Sequence, residues 1–320
     1  MRFNKLDLNL LVALDAMLAE RSVSRAAERL HVSQSTMSSS LTRLRTYFED
    51  ELLVQVGRKL ELTPRAETLK EAVRDVLSRV DTAIATQPQF DPTQSDREFR
   101  MFVSDYTLVT LMPHLLALAR RQSSTVRFQL SPLPQMDRPQ RALERGDADL
   151  LVIPRNYCSR EHPAEVLFEE EFNCVVWSGS RFAHAGELTL DQYVAAGHVV
   201  TQPTGTDQPT LESWFMQRHG IVRRVEVTTY SFVAAPFVVI GTECIATVHG
   251  RLARLAQRSQ PLKLHALPVP MPRMEQAMQW HKYRTHDPGL VWLRGLLHEA
   301  AWLMDAEQTA GARPTASRFP

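Results

Sequence analysis

Residues 22–63 constrain this chain more than any other stretch. Ser22 opens a run in which Ala26 and Ala27 are followed by Leu30, a break at His31-Val32, and then Ser33-Gln34 leading a hydroxyl-rich segment to about Phe48. Ser22 and Ser24 are N-cap candidates for a helix over Arg25–Leu30, and Ser33 for the helix after it. Adjacent alanines let two helices cross closely, and Leu30 and Val32 seal the turn. Upstream, Leu6, Leu10, Leu14 and Leu18 recur every four residues beside Leu11 and Met17, which predicts a helix over 6–20 with one apolar face. In the third helix Met37, Leu41 and Leu44 share a side. At about 100° per residue, Ser35, Ser39 and Thr42 fall nearly opposite, flanked by Ser38 and Arg45. Residues 52–63, LLVQVGRKLELT, alternate as strands about a Gly57-Arg58 turn, a hairpin or wing. An ordinary helical hairpin has no reason to be followed by such a wing, so the pattern reads as a winged helix-turn-helix.

That pattern implies a surface for nucleic acid. Net charge is only +1, far from a coat protein, yet Arg21, Arg25, Arg29, Arg43 and Arg45 face a single acid, Glu28, within residues 21–45. A local cationic face suffices for phosphate, because each neutralised phosphate releases counterions. Ser33 and the first free N–H groups of the third helix can grip a phosphate. Gln34, Ser35, Ser38, Ser39 and Thr42 can reach base edges, with Arg25, Arg43 and the wing's Arg58 beside them.

Thr63-Pro64 announces another helix. Leu69, Val73, Val76, Leu77, Val80 and Ile84 repeat at steps of three and four, a coiled-coil stripe that calls for a partner helix. Dimerisation is the expectation for Leu69, Val73, Val76, Val80 and Ile84; the alternative is packing within the same chain. Residues 86–97, TQPQFDPTQSDR, read as a polar linker.

Beyond the linker, strand patterns alternate with helices: Phe99–Val103, Val126–Leu130, Asp149–Ile153, Phe172–Trp177, His198–Thr201, Arg224–Thr228, Cys244–Val248, Leu262–Leu267 and Gln276–His281. This predicts parallel α/β sheets, and about 200 residues fit two lobes around a cleft. Ala142-Leu143-Glu144-Arg145-Gly146 followed by the apolar run to Ile153 is architectural, a helix stop leading into a buried strand. Ligands of open α/β sheets sit outside the carboxyl ends of strands. Ser104, Asp105, Tyr106 and Thr107 are therefore pocket candidates, although Asp105 could simply cap its helix. Thr204, Thr206 and Gln208 face them from the second half, with Phe232 and His249 near strand ends. These groups suit a phenol or an aromatic acid, and no lysine or arginine within either loop neutralises a polyphosphate.

Several classes are excluded. No apolar run reaches membrane-spanning length, and the start is broken by Asp7, Asp15 and Glu20 with no cleavage site after it, so a cytoplasmic protein is expected. Cys158, Cys174 and Cys244 are odd in number and widely spaced, which argues for buried apolar cysteines and no disulfide framework. His298-Glu299 lacks the second histidine of a zinc helix, and no Gly-x-Ser-x-Gly elbow occurs, so neither an enzyme nor a metal or cofactor site is expected.

AAERLHVSQSTMSSSLTRLRTYFEDELLVQVGRKLELTP resembles the winged helix-turn-helix of LysR-type transcriptional regulators. Ser35 stands where the family usually has proline. MRFNKLDLNLLVALDAMLAERSVS, DPTQSDREFRMFVSD and GTECIATV resemble the subgroup of NodD nodulation regulators and regulators of aromatic catabolism. The likeness spans about residues 1–305. It implies a homodimer or homotetramer on promoter DNA, contact with RNA polymerase, activation, and a periplasmic-binding-protein-like effector domain of two lobes. The expected division is a DNA-binding domain over 1–64, a dimerisation helix over 65–86, a hinge over 87–97, an effector domain over 98–305, and a disordered tail over 306–320. Lobe I takes about 98–168 and 269–305; lobe II takes about 169–268. Two rivals are a constitutive DNA-binding protein with a vestigial ligand domain and a two-lobed solute-binding protein.

Overall fold

The computed structural model describes residues 6–57, 59–84, 90–133, 139–184, 186–204 and 209–311. The chain divides into two compact units, Met1–Gln87 with Glu144–Gly146, and Pro88–Leu143 with Asp147–Pro320.

In the first unit each helix starts at a side chain that satisfies an orphan N–H. Asp7 accepts from Leu10 N at 2.8 Å to begin α1 (Leu8–Glu20). Ser22 begins α2 (Val23–Arg29), so this helix starts two residues before the expected Arg25, with Ser24 inside it. Ser33 accepts from Thr36 N at 3.1 Å to begin α3 (Gln34–Phe48). Strands β1 (Leu53–Val56) and β2 (Lys59–Leu62) pair antiparallel, and Gly57 in their turn has φ of 64°, which costs glycine little. Thr63 Oγ1 then accepts from Ala66 N at the start of α4 (Pro64–Ile84). Leu10, Leu14, Met17, Ala26, Ala27, Met37, Leu41 and Leu44 form the core.

That core also takes part of the stripe on α4. Val73 is only 4% exposed and lies inside it, with Leu69 and Leu77 packed against it. The expected seam is thereby narrowed: Val73 is a core residue of its own unit, because α1 already offers α4 an apolar face. Val76 stays 43% exposed and Val80 is half-buried. Ile84 ends the helix, and its side chain lies outside the described residues, as do residues 85–89 of the hinge.

The second unit begins with β3 (Glu98–Val103), α5 (Asp105–Thr110), α6 (Met112–Gln122), β4 (Arg127–Ser131), α7 (Arg141–Glu144), β5 (Leu150–Pro154) and β6 (Ala164–Glu170). It continues through β7 (Phe172–Trp177), α8 (Leu190–Ala195), β8 (Gly197–Thr201), α9 (Leu211–Arg218), β9 (Arg224–Thr229), α10 (Ala235–Val238), β10 (Cys244–His249), α11 (Gly250–Gln257) and β11 (Leu262–Ala266). β12 (Met274–Trp280) and α12 (Pro288–Gly311) complete it. Two five-stranded sheets result, in the orders β4-β3-β5-β12-β6 and β11-β7-β10-β8-β9. Within them β3 runs parallel to β4 and β5, and β8 to β9 and β10, while β7 and β12 run antiparallel to their neighbours. The chain crosses from one lobe to the other at Glu170–Phe172 and returns between Ala266 and Met274, which leaves a cleft between the sheets.

Three features depart from expectation. β6 lies outside the expected strand set: in AEVLFEE the apolar residues are adjacent, not alternating, and the strand stands at the sheet edge, paired with β12 alone. Residues 90–97 pack with the second unit. The Phe90 ring centroid lies 5.2 Å from that of Trp292, and Arg97 Nη1 and Nη2 donate to the two Asp287 carboxylate oxygens, at 2.6 and 2.8 Å. The tail is not wholly irregular, since α12 runs to Gly311. A helix already nucleated adds one hydrogen bond per residue without needing apolar side chains, and Ala306 and Glu307 are good helix formers. Residues 312–320 lie outside the described residues. Cys174 and Cys244 are buried and Cys158 half-buried, all with free thiols. No helix among the described residues is long and apolar enough to cross a membrane.

Candidate functional site

Two surfaces carry candidate function. The first is the outer face of α3. Met37, Leu41 and Leu44 anchor the opposite side, so Gln34, Ser35, Ser38, Ser39 and Thr42 all stand in solvent. Gln34, Ser38 and Ser39 make no side-chain hydrogen bond among the described residues and are available to base edges. Thr42 instead donates back to Ser38 O at 3.1 Å, and the Ser33 hydroxyl is engaged by its cap. The arginines are less free than a count over 21–45 implied. Arg25 and Arg29 both reach Glu20, Arg43 pairs with Asp7 at 3.2 Å, and Arg21 pairs with Glu61 and Glu67. Those acids lie outside residues 21–45. Exposed pairs of this kind are worth little, so a phosphate can displace them. Arg58 lies outside the described residues.

The second is the cleft of the second unit. The space between its walls, with the solvent at its open mouth included, is about 710 Å³. Its wall is built from strand ends. The first lobe gives Ser104 and Tyr106 after β3, Pro154 and Tyr157 at the end of β5, and Met274 and Gln276 on β12. The second gives Phe172 at the start of β7, Thr201 on β8, Thr210 and Glu212 opening α9, Phe232, and Thr247 and His249 closing β10. At its centre the Tyr106 ring stacks on His249, 4.1 Å between centroids and 17° between planes. Phe172 and Phe232 lie 5.0 and 5.1 Å from the same imidazole.

Of the expected pocket residues, Ser104, Tyr106, Phe232 and His249 line the cleft. Thr107 does not: it is fully buried behind the wall, bonded to Ser104 Oγ at 3.0 Å and accepting from Gln276 Nε2 at 3.2 Å. Thr204 is exposed and outside the wall, and Thr206 and Gln208 lie outside the described residues. Asp105 does not cap α5; Ser104 does. Instead the Asp105 carboxylate accepts from Ser231 Oγ at 2.6 Å and Val233 N at 3.2 Å, on either side of Phe232, and so ties one lobe to the other. Tyr157 adds a second tie by donating to Pro209 O at 3.0 Å.

Glu212, Gln276, Phe172 and Tyr157 are among the lining residues that the sequence reading missed. Gln276 was legible in part, as an amide inside an expected buried strand. Glu212 reads locally as an acid in the first turn of a helix capped by Thr210, and only the fold turns it to the cleft.

The electrostatics follow from burial. Loss of water pushes the Glu212 carboxyl above its ordinary range, against the pull of Arg223, whose Nη2 stands 3.2 Å from Glu212 Oε2. Burial, aided by the nearby Arg251 charge, lowers His249 to about 3, so its imidazole is neutral. Burial and the neighbouring Glu170 carboxylate raise the Tyr106 hydroxyl, which donates to Glu170. No lysine or arginine lines the cleft among the described residues. The site can therefore take an aromatic group with a few polar substituents, and among the described residues it contains no group placed to neutralise a strong anion.

Comparison with known proteins places both parts of the chain in one family. Residues 8–67 match the bacterial regulatory helix-turn-helix protein, lysR family, and residues 92–302 match the LysR substrate binding domain. Nodulation protein D 1 of Bradyrhizobium japonicum is 40% identical over 322 residues, covering 100% of this chain and 99% of the relative. Nodulation protein D 1 of Sinorhizobium fredii is 40% identical over 98% of this chain and 96% of its own. A probable transcriptional regulator from Pseudomonas aeruginosa superposes with a TM-score of 0.62 at 29% identity, over 92% of this chain and 97% of that one. Full-length OxyR from the same organism shares the fold at 15% identity, with a TM-score of 0.70 over 92% of this chain and 94% of its own. The chain belongs to the LysR family and is a DNA-binding transcriptional regulator, not an enzyme.

Proposed function

We propose that this regulator is an activator that answers a small aromatic or phenolic effector held in the interlobe cleft. Members of the family bind promoter DNA and a small-molecule effector and form oligomers. The finer reading assigns base contacts to Gln34, Ser35, Ser38, Ser39 and Thr42, phosphate contacts to Arg25, Ser33, Arg43 and Arg58, and self-association to α4 through Val76 and Val80. It divides the chain into a DNA-binding domain over 1–64, a linker helix over 65–86 and an effector domain over 98–305. It places the protein in the cytoplasm, in contact with RNA polymerase when effector is bound.

One observation carries the effector class: four aromatic rings, Tyr106, His249, Phe172 and Phe232, meet in a cleft whose wall has no cationic side chain among the described residues. Aromatic ligands gain from offset and edge contacts with such rings. An effector that binds both lobes shifts the molecule toward the closed cleft. Calorimetry on the full chain with phenols, salicylate-like acids and sugar phosphates tests the reading. Binding confined to aromatics, reduced about tenfold by Phe232→Ala, is the expected result. Tight binding of a sugar phosphate with no response to any aromatic overturns it. A constitutive DNA-binding protein would respond to none of them.

A further inference from the structure

We propose that Arg45 and Asp50 are positioning residues for the wing: they fix the β1–β2 hairpin to α3 so that its turn meets phosphate, and Arg45 is not itself a phosphate contact. This rests on the reading that Arg58, in that turn, contacts phosphate.

Arg21, Arg29 and Arg43 pair with carboxylates at the surface, and those acids return to water when a phosphate takes their place. Arg45, in the last turn of α3, is held differently. Its Nε donates to Glu51 O at 2.9 Å and its Nη2 to Leu53 O at 2.8 Å, with the Glu51 carboxylate 3.1 Å from the same Nη2. The Leu53 carbonyl needs that donor. Thr63 N donates to Leu52 O at 3.1 Å, which makes 52 and 63 a hydrogen-bonded pair of the hairpin. Antiparallel pairs alternate, so at the next pair, Leu53 with Leu62, the Leu53 carbonyl points away from β2. Leu53 is 1% exposed. A phosphate that drew Arg45 away would strand this acceptor, and an unmet buried acceptor costs more than a lost surface pair.

Asp50 secures the other side of the same bend. Its Oδ1 accepts from Leu52 N at 2.7 Å and from Thr63 Oγ1 at 2.6 Å. It thus joins the chain after α3 to both roots of the hairpin and to the start of α4, which the Thr63 hydroxyl caps. The bend itself is strained. Glu49 and Leu52 have φ of 51° and 60°, a left-handed conformation that residues with a side chain rarely adopt. Such a conformation persists where its surroundings over-determine it, and here Arg45 and Asp50 span it while the Leu52 side chain is buried in the core. Charge and position then make opposite forecasts for Asp50. Deleting an acid near a polyanion strengthens binding on charge alone, whereas releasing the wing weakens it.

The test follows binding of the full chain to a random-sequence duplex by fluorescence anisotropy across a salt series, with helical circular dichroism confirming the fold of each variant. Arg58→Ala is expected to flatten the slope of log affinity against log salt by about one per bound subunit. Arg45→Lys keeps the charge but cannot span two carbonyls, and it is expected to flatten the slope as much as Arg45→Met does. Adding Arg58→Ala to Arg45→Lys is expected to change the slope no further, because the same contact is already lost. Asp50→Ala is expected to weaken binding about threefold at fixed salt, while Asp50→Asn, which keeps the accepting oxygen, binds at least as tightly as the unaltered protein. Arg45→Lys carries the comparison if Arg45→Met fails to fold, and Thr63→Val, which breaks the same bond, stands in for Asp50→Ala. A slope retained by Arg45→Lys, or losses that add to those of Arg58→Ala, would overturn the inference for Arg45. Tighter binding by Asp50→Ala would overturn it for Asp50, and in each case Arg58 keeps its contact. An unchanged slope for Arg58→Ala would bring down the wing contact and this inference together.

Discussion

Arg223→Met removes the counter-charge from a buried acid in the wall of the cleft. The two side chains are 7% and 9% exposed, so the pair sits where solvent screening is weak. Breaking such a pair from one side costs about 3–5 kcal/mol, because the remaining charge stays buried and alone. Two features reduce this. Ser213 Oγ still donates to Glu212 at 3.2 Å, and burial already lifts the Glu212 carboxyl, so it can escape its charge by taking up a proton. A loss of roughly 2–3 kcal/mol remains, and for a unit of this size each kcal/mol moves the midpoint by about 2–4 °C. The effector unit's transition is therefore expected to fall by about 5–10 °C at pH 7, followed by near-UV circular dichroism or calorimetry. The pH dependence has a definite sign. The folded carboxyl holds its proton more readily than the unfolded one, so the deficit shrinks as the pH is lowered toward the acid range. Replacing both partners, Glu212→Leu with Arg223→Met, leaves no buried charge and is expected to recover most of the loss. A drop under about 1 kcal/mol, or a double variant no more stable than Arg223→Met, would refute the description of a desolvated pair.

Three other outcomes follow from the same structure. Asp105→Ala deletes the acceptor for Ser231 and Val233 and is expected to weaken effector binding about threefold to tenfold without changing operator affinity in the absence of effector; unchanged effector affinity would show that the tie does not favour closure. Because His249 is held neutral down to about pH 3, effector affinity is expected to be flat from pH 5 to pH 8. A midpoint near 6 that disappears in His249→Phe would contradict the burial of that ring. Val76→Asp is expected to reduce the assembled mass in sedimentation with the fold intact, whereas Val73→Asp, aimed at the core of its own unit, is expected to unfold that unit at a cost of several kcal/mol. The reverse pattern by sedimentation and circular dichroism would place the seam on Val73.

The helix-turn-helix was legible because its signals are local. Ser22 and Ser33 cap the helices that follow them, the two alanines lie at a crossing, and Gly57 turns the hairpin. The two-lobed α/β organisation was legible from strand spacing, with only the edge strand β6 missed. What escaped depends on partners distant in sequence. Arg43 looks free until Asp7 is brought to it, and Val73 looks like a seam residue until α1 covers it. In the cleft, a strand end marks Ser104 and Tyr106, but whether a residue faces in or lies behind depends on neighbours. Thr107 and Ser104 are three positions apart, and one sits behind the wall while the other lines it. Glu212 carries no local mark at all.

The central claim is that α3 reads a specific DNA site in this chain. Site selection from random duplexes, followed by competition binding at fixed salt, tests it most directly. The account predicts an inverted-repeat site bound at least about 10³-fold more tightly than random DNA. It also predicts that Gln34→Ala or Ser38→Ala costs about 1–3 kcal/mol on that site and much less on random duplex. Failure to enrich any site, or equal losses on selected and random DNA for both variants, would contradict it.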